Sequence, residues 1–216
     1  MAVRAGGIRT PGGYLFELSG GNLCLDFINT LDGRPRDPRE TLLSWSDLID
    51  WGLQAGVLTA AEGRRLRAEG ARGPAEARRA LARARRLRET LHGVLCAAIA
   101  GRRPPDATLA AFNAALRAAL ARLRLVPGGA ARRWSWTVEG NGLDRLLPSI
   151  VDSAAGLLAG DNLDRVRECG SETCGWLFLD ASRSGTRRWC DMSICGNRDK
   201  ARRHYRRLRK GGRPGR

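Results

Sequence analysis

The sequence predicts a mainly α-helical fold with a small β element, an α+β arrangement in which a helical N-terminal domain precedes a small cysteine-rich module. Three observations carry this. Apolar residues recur at helical spacing between Leu48 and Leu158, and short β-prone runs stand at Tyr14 and Trp134. Four cysteines then fall into two matched pairs, Cys169-x4-Cys174 and Cys190-x4-Cys195, ahead of a run dominated by arginine.

Residues 1–13 hold four glycines and one proline and read as a flexible arm that buries nothing. They contain no apolar stretch of the kind a secretory signal needs. The helical domain is expected over 14–164. Tyr14 to Leu18 is β-prone, whereas Leu23 to Leu31 is a dense apolar segment that length alone assigns to neither helix nor strand. Gly33 to Pro38 is a loop of prolines and charges.

Ser46 is placed to cap a helix that starts at Asp47, carries Leu48 and Trp51 on one face and stops at Gly56. Thr59-x-x-Glu62 has the pattern of a capping box, and Gly70 is expected to end that helix. From Pro74 to about Ala100, Leu81, Ala84, Leu87, Leu91, Val94, Leu95 and Ala98 share a stripe, with arginines over the opposite face. After the break at 102–105, Asp106 or Thr108 caps a helix with the stripe Leu109, Phe112, Leu116, Leu120 and Leu123, and the short connection makes the two helices an antiparallel pair. Leu123 to Val126, the Pro127-Gly128-Gly129 turn and Trp134 to Val138 form a hairpin, and a last helix runs from about Leu143 to Ala159 with Pro148 near its start.

A chain of 216 residues with 43% apolar content can bury a sizeable core. Its formal net charge of +16 points to a polyanionic partner. Lys200 and Lys210 are the only lysines among 38 basic residues, so coding bias inflates the arginine total. Position is the better guide, and residues 180–216 hold 13 Lys and Arg against 3 Asp. No apolar run approaches the roughly 18 residues that span a bilayer, so a cytoplasmic protein without a membrane partner is expected. In that compartment cysteines are metal ligands more often than disulfides.

Two short cysteine loops on either side of one ion suit a tetrahedral zinc site formed by Cys169, Cys174, Cys190 and Cys195. Trp176 to Leu179 and Arg187 to Trp189 are expected as paired strands between the loops, followed by a helix from Cys195, the order of a treble-clef-like module over residues 165–210. In that helix Ala201, Tyr205 and Leu208 would face inward. Arg198, Lys200, Arg202, Arg203, Arg206, Arg207 and Arg209 would then meet the phosphates of DNA, with Arg183, Arg187 and Arg188 contributing from the finger. RNA or the ribosome is the alternative partner, and 211–216 is a basic tail.

These residues resemble a known family. The pattern Cys169-x4-Cys174-x-Trp176-x-Phe178-x-Asp180-x-Ser182-Arg183, then Arg187-Arg188-Trp189-Cys190-x-Met192-x2-Cys195-Gly196-Asn197-Arg198-x-Lys200, is similar to that of the bacterial CGNR zinc finger proteins. The Leu23 to Leu31 segment, with Asp26, Asn29 and Thr30, resembles the start of the ABATE domain that precedes such fingers. The resemblance implies a stress-induced transcription regulator whose finger binds DNA and whose zinc ligands are the same four cysteines.

Asp26, Asn29 and Thr30 are the candidates for a small ligand pocket, against the plainer use of capping neighbours and satisfying buried backbone. Cys24 and Cys96 lie among apolar residues as core thiols, and Trp45 and Trp51 are core aromatics. His92 and His204 have no catalytic partner in the sequence, so no enzyme is expected. The operator, a homodimer and an effector of the N-terminal domain are left open by the sequence.

Overall fold

A computed structural model of the chain describes residues 6–127, 134–138 and 142–211, and of 134–136, 138 and 206–211 the backbone alone. The first described element is a hairpin of β1 (Gly7–Thr10) and β2 (Gly13–Phe16), paired antiparallel with Ile8 opposite Leu15. The expected arm over 1–13 therefore fails for residues 7–10, while 1–5 lie outside the described residues. The hairpin is held from the side. Gln54 donates to the Tyr14 carbonyl at 2.7 Å and accepts the Phe16 N–H at 2.9 Å, and Arg9 pairs with Asp47 at 2.8 Å.

The dense segment after it is helix α1 (Leu23–Ile28), because Asn22 supplies a cap by accepting the Cys24 N–H at 3.0 Å. Leu25, Phe27 and Ile28 are fully buried, and the Phe27 ring lies 5.1 Å from that of Trp51. Burial of such side chains stabilises by about 1.5–3 kcal/mol each, so this short helix is a centre of the core. Strands β3 (Leu31–Asp32) and β4 (Arg39–Glu40) then pair around the proline loop.

Helix α2 (Trp45–Gln54) begins one residue after Ser44, which is the cap instead of Ser46. The reason is reciprocity: Ser44 Oγ accepts the Asp47 N–H while the Asp47 carboxylate accepts the Ser44 N–H at 2.7 Å. Gly56 follows with φ of 73°, the left-handed residue expected at a helix end. Helix α3 (Ala60–Arg72) has the predicted box of Thr59 and Glu62 but runs past Gly70, whose lack of a side chain admits the Trp45 indole.

Helix α4 (Pro74–Ile99) buries Leu81, Ala84, Leu87, Leu91, Val94 and Leu95 as the stripe requires. One arginine departs from the exposed face. Arg88 is buried, with its fork on both oxygens of Glu40 at 2.7 and 2.6 Å and a further bond to Thr30 at 3.1 Å. Helix α5 (Asp106–Leu120) packs on α4 but carries no side-chain cap, Leu120 is exposed where the stripe expected burial, and Leu123 lies beyond the helix in the next strand.

Strands β5 (Leu123–Pro127) and β6 (Trp134–Val138) form the predicted hairpin, with the Gly128-Gly129 part of its turn outside the described residues. Helix α6 (Leu147–Ala159) starts later than Leu143, with Pro148 in its first turn where no N–H partner is missed. It packs on both α1 and α5. Among the described residues no helix is long and apolar enough to cross a membrane.

Strands β7 (Val166–Glu168) and β8 (Leu177–Leu179) pair antiparallel at the entry to the cysteine module. Val166 and Leu177 belong to the same core as α1, so the module is joined to the helical domain through buried apolar surface. The last described element is helix α7 (Asn197–Gly211).

Candidate metal centre and basic helix

The cysteine module is built by local hydrogen bonds that aim four side chains at one point. Cys169 N–H donates to the Trp176 carbonyl at 2.8 Å and Cys174 N–H to the Ser171 carbonyl at 3.0 Å, which closes the first cysteine loop on the β7–β8 hairpin. The buried Asp180 carboxylate accepts from the Ser182 hydroxyl at 2.6 Å, the Ser182 N–H at 2.9 Å and the Arg187 N–H at 2.7 Å. Those bonds, the Ser182 hydroxyl first, hold its carboxyl below the ordinary range. They also bring residues 187–190 back towards the first loop, where the Gly170 N–H donates to the Arg188 carbonyl at 2.9 Å.

Residues 187–189 are consequently an irregular return and not the second strand of a hairpin with Trp176–Leu179; β8 takes β7 as its partner instead. Arg187 secures this return by donating to the Trp189 carbonyl at 2.9 Å and to the Cys190 carbonyl, with its guanidinium 4.7 Å from the Phe178 ring centre. Asp191 then caps a wide helical turn, Met192–Gly196, by accepting the Ile194 N–H at 2.9 Å. That turn carries Cys195 and runs straight into α7.

All four cysteines are buried, and their sulfurs lie within 4.8 Å of one another. Cys174 and Cys190 are 3.7 Å apart, and Cys190 and Cys195 are 3.6 Å apart. A disulfide requires about 2.05 Å. A tetrahedron of sulfurs around one ion at about 2.3 Å has edges near 3.8 Å, so these separations fit a single four-coordinate metal. The four thiols share their protons: hydrogen bonds from Cys174, Cys190 and Cys195 lower the Cys169 thiol, while bonds to Cys169 and burial raise Cys174 and Cys190, so the cluster cannot hold four thiolates without a cation between them. The donor set is soft and closed, with no open position for a substrate.

Helix α7 is rotated relative to the expectation from its sequence. Ala201 is exposed and Tyr205 is 67% exposed, so the stripe that was to face inward points to solvent over these residues; the side chain of Leu208 lies outside the described residues. The inward side is polar. Arg198 donates to Thr173 Oγ1 at 3.4 Å, and Arg202 donates to Glu172 at 3.0 Å and Thr173 at 3.5 Å. Lys200 and Arg203 are exposed, the latter pairing with Asp199 at 3.1 Å. Arg183, Arg187 and Arg188 are exposed on the loop between the cysteine pairs. Arg206, Arg207 and Arg209 follow on the α7 backbone, and their side chains lie outside the described residues.

Asp26, Asn29 and Thr30 do not converge on a common ligand position; each serves the fold. Asp26 accepts the Gly20 N–H at 2.7 Å, Asn29 bonds the Leu177 backbone, and Thr30 donates to the Phe27 carbonyl at 2.7 Å. Arg36 was missed by sequence reasoning, which read 33–38 only as a loop. It reaches Glu172 at 3.2 Å, beside Arg202.

A helical domain continuous with a four-cysteine metal finger, from which a basic helix projects, defines the class of this molecule. The ABATE family model, described as "Putative stress-induced transcription regulator", matches residues 21–161, and the CGNR zinc finger model matches 165–208. The chain belongs to the ABATE family and carries a CGNR zinc finger after that domain. No curated protein matches the chain.

Proposed function

We propose that the chain is a zinc-dependent, DNA-binding transcription regulator in which α7, the basic helix after the last zinc cysteine, contacts DNA. The observation that carries this reading is the continuity of the turn that carries Cys195 with a helix that exposes Lys200 and Arg203 within its first two turns. Cys169, Cys174, Cys190 and Cys195 would hold zinc, which cross-links the loops and fixes the helix origin. A cytoplasmic location goes with four ligands that must stay reduced, and no enzymatic activity is part of this reading.

The zinc site alone would make only a small structural module. The basic helix adds a partner, since arginine binds phosphate through a planar fork of donors and a helix fits the major groove. About six phosphate contacts would give a slope of log K against log salt near −5. Purified protein should contain close to one zinc per chain, and less than half an equivalent removes the finger from the reading. Genome-wide mapping and competition with random duplex test regulation: equal affinity for every duplex at physiological salt excludes it. Preferential recovery of RNA from cells would transfer the function to the RNA- or ribosome-associated alternative.

A further inference from the structure

One carboxylate oxygen, Glu172 Oε2, accepts from two guanidiniums that belong to different parts of the molecule. Arg36 Nη2 lies 3.2 Å from it and Arg202 Nη1 3.0 Å. Arg36 stands in the loop between β3 and β4 of the helical domain, whereas Arg202 is in the second turn of α7. The loop is seated firmly. Gly33 accepts the N–H groups of Arg36 and Asp37 at 3.1 and 2.9 Å, and Pro35 rests so closely on Gly175 that a Cβ there would stand 2.7 Å from Pro35 Cδ. Gly175 also has φ of 71°, so glycine is required at this contact twice over.

Arg198 and Arg202 both donate to Thr173 Oγ1, which places three guanidiniums around one carboxylate and one hydroxyl. Among neighbouring carboxylates Asp32 pairs with Arg39 at 2.7 Å and also feels Arg198, Glu89 pairs with Arg34 at 2.6 Å and Asp199 with Arg203 at 3.1 Å, while the exposed Asp37 beside Arg36 adds one negative charge to that of Glu172 against the three guanidiniums. The cluster therefore keeps a positive balance after its internal pairing. Two arginines converging on one oxygen is also the way a phosphate oxygen is gripped. Glu172 is 42% exposed, so water screens its pairs and an incoming anion can reach them.

We propose that Arg36, Arg198 and Arg202 form a backbone-phosphate site for duplex DNA at the seam between the helical domain and α7, with Glu172 as an internal competitor that the phosphate displaces. This rests on the DNA-binding reading above and deepens it. The helical domain then takes a direct part in binding through Arg36, and the register of the finger on the duplex is set from both sides of the seam.

The test is anisotropy titration of a short random-sequence duplex with the full zinc-loaded chain across a salt series. Arg36→Ala should weaken binding by about threefold to tenfold and reduce the salt slope by about one, the value for one lost phosphate contact. Arg36→Lys should keep the slope and recover part of the affinity, because it retains charge but not the fork. Glu172→Gln should bind about threefold or more tightly, since the competing charge is gone and the shape is kept. Zinc content and melting temperature equal to wild type confine these effects to binding. If Arg36→Ala and Glu172→Gln both match wild type while Lys200→Ala with Arg203→Ala weakens binding, the seam site is overturned and DNA binding by α7 stands. If the unaltered chain binds no duplex at all, both readings fall.

Discussion

The side-chain amide of Asn29 and the backbone of Leu177 are hydrogen-bonded in both directions. Asn29 Nδ2 donates to the Leu177 carbonyl at 2.9 Å, and Asn29 Oδ1 accepts the Leu177 N–H at 3.0 Å. Both residues are buried, so a single asparagine of the helical domain completes a strand edge of the metal module. The Leu179 N–H donating to the Gly20 carbonyl at 2.7 Å continues the same seam.

Asn29→Ala should destabilise the chain by about 3 kcal/mol, because it leaves a buried donor and a buried acceptor of Leu177 without partners at about 1–3 kcal/mol each, with some relief by relaxation. Urea unfolding followed by tryptophan fluorescence measures this. A loss under about 0.5 kcal/mol, the range of an ordinary surface change, would show that the seam tolerates separation.

Chelation should act unevenly along the chain. Cys169, Cys174, Cys190 and Cys195 pack with Trp176 and Phe178 in a small cluster of their own, whereas the helices share a separate, larger core. A structural zinc site supplies folding free energy directly. Hydrogen exchange after metal removal should therefore rise over 169–196 and α7 while α4 and α6 keep their protection. Uniform loss of protection would mean that the two clusters unfold as one.

Gly70→Ala pits two effects against each other. Alanine is favoured over glycine inside a helix by about 1 kcal/mol. A Cβ at position 70 would however stand 2.5 Å from Trp45 Cδ1, and the indole cannot swing away without breaking its 3.1 Å bond to the Leu66 carbonyl. Overpacking of this kind costs about 1–3 kcal/mol, so the substitution should lower the melting temperature despite the better helix former. A rise in melting temperature would show that the indole relocates freely.

The helices were legible because their signals are local. Thr59 and Glu62 announce a start from three residues apart, and the stripe of α4 recurs from Leu81 to Ala98 over about five turns. Ser44 and Ser46 were separable only by asking which serine stands three residues before Asp47. Strand partners were less legible, since β8 chooses β7 through the Cys169–Trp176 backbone bond and the burial of Val166 and Leu177 against α1, contacts far apart in sequence. The four metal ligands were plain from spacing. The facing of α7 was not, because its contrast between a few apolar residues and many arginines points the apolar side inward, whereas Glu172 and Thr173, far away in sequence, reach Arg198 and Arg202 and turn the polar side in. Arg36 carried no signal in its own neighbourhood.

Asp26 connects the fold to pH. Burial raises its carboxyl from the ordinary 3.8 to about 6; the Gly20 N–H opposes the shift and the nearby Glu17 carboxylate adds to it. With the folded value above the unfolded one, the protonated acid is the form the fold prefers. Its contribution is fully present below about pH 4 and is lost as pH rises through about 6. At pH 8 the ionised side chain should then carry a penalty of at most about 3 kcal/mol, from 1.36 kcal/mol for each tenfold displacement. Asp26→Asn keeps an oxygen for the Gly20 N–H and removes the charge. The variant should match wild type in melting temperature near pH 4 and exceed it near pH 8, with the difference opening between these values. Comparing the two proteins at each pH cancels any change in the metal site that both share. A difference that stays constant across the range would mean that Asp26 is charged in the fold throughout, with its carboxylate accommodated by the Gly20 turn.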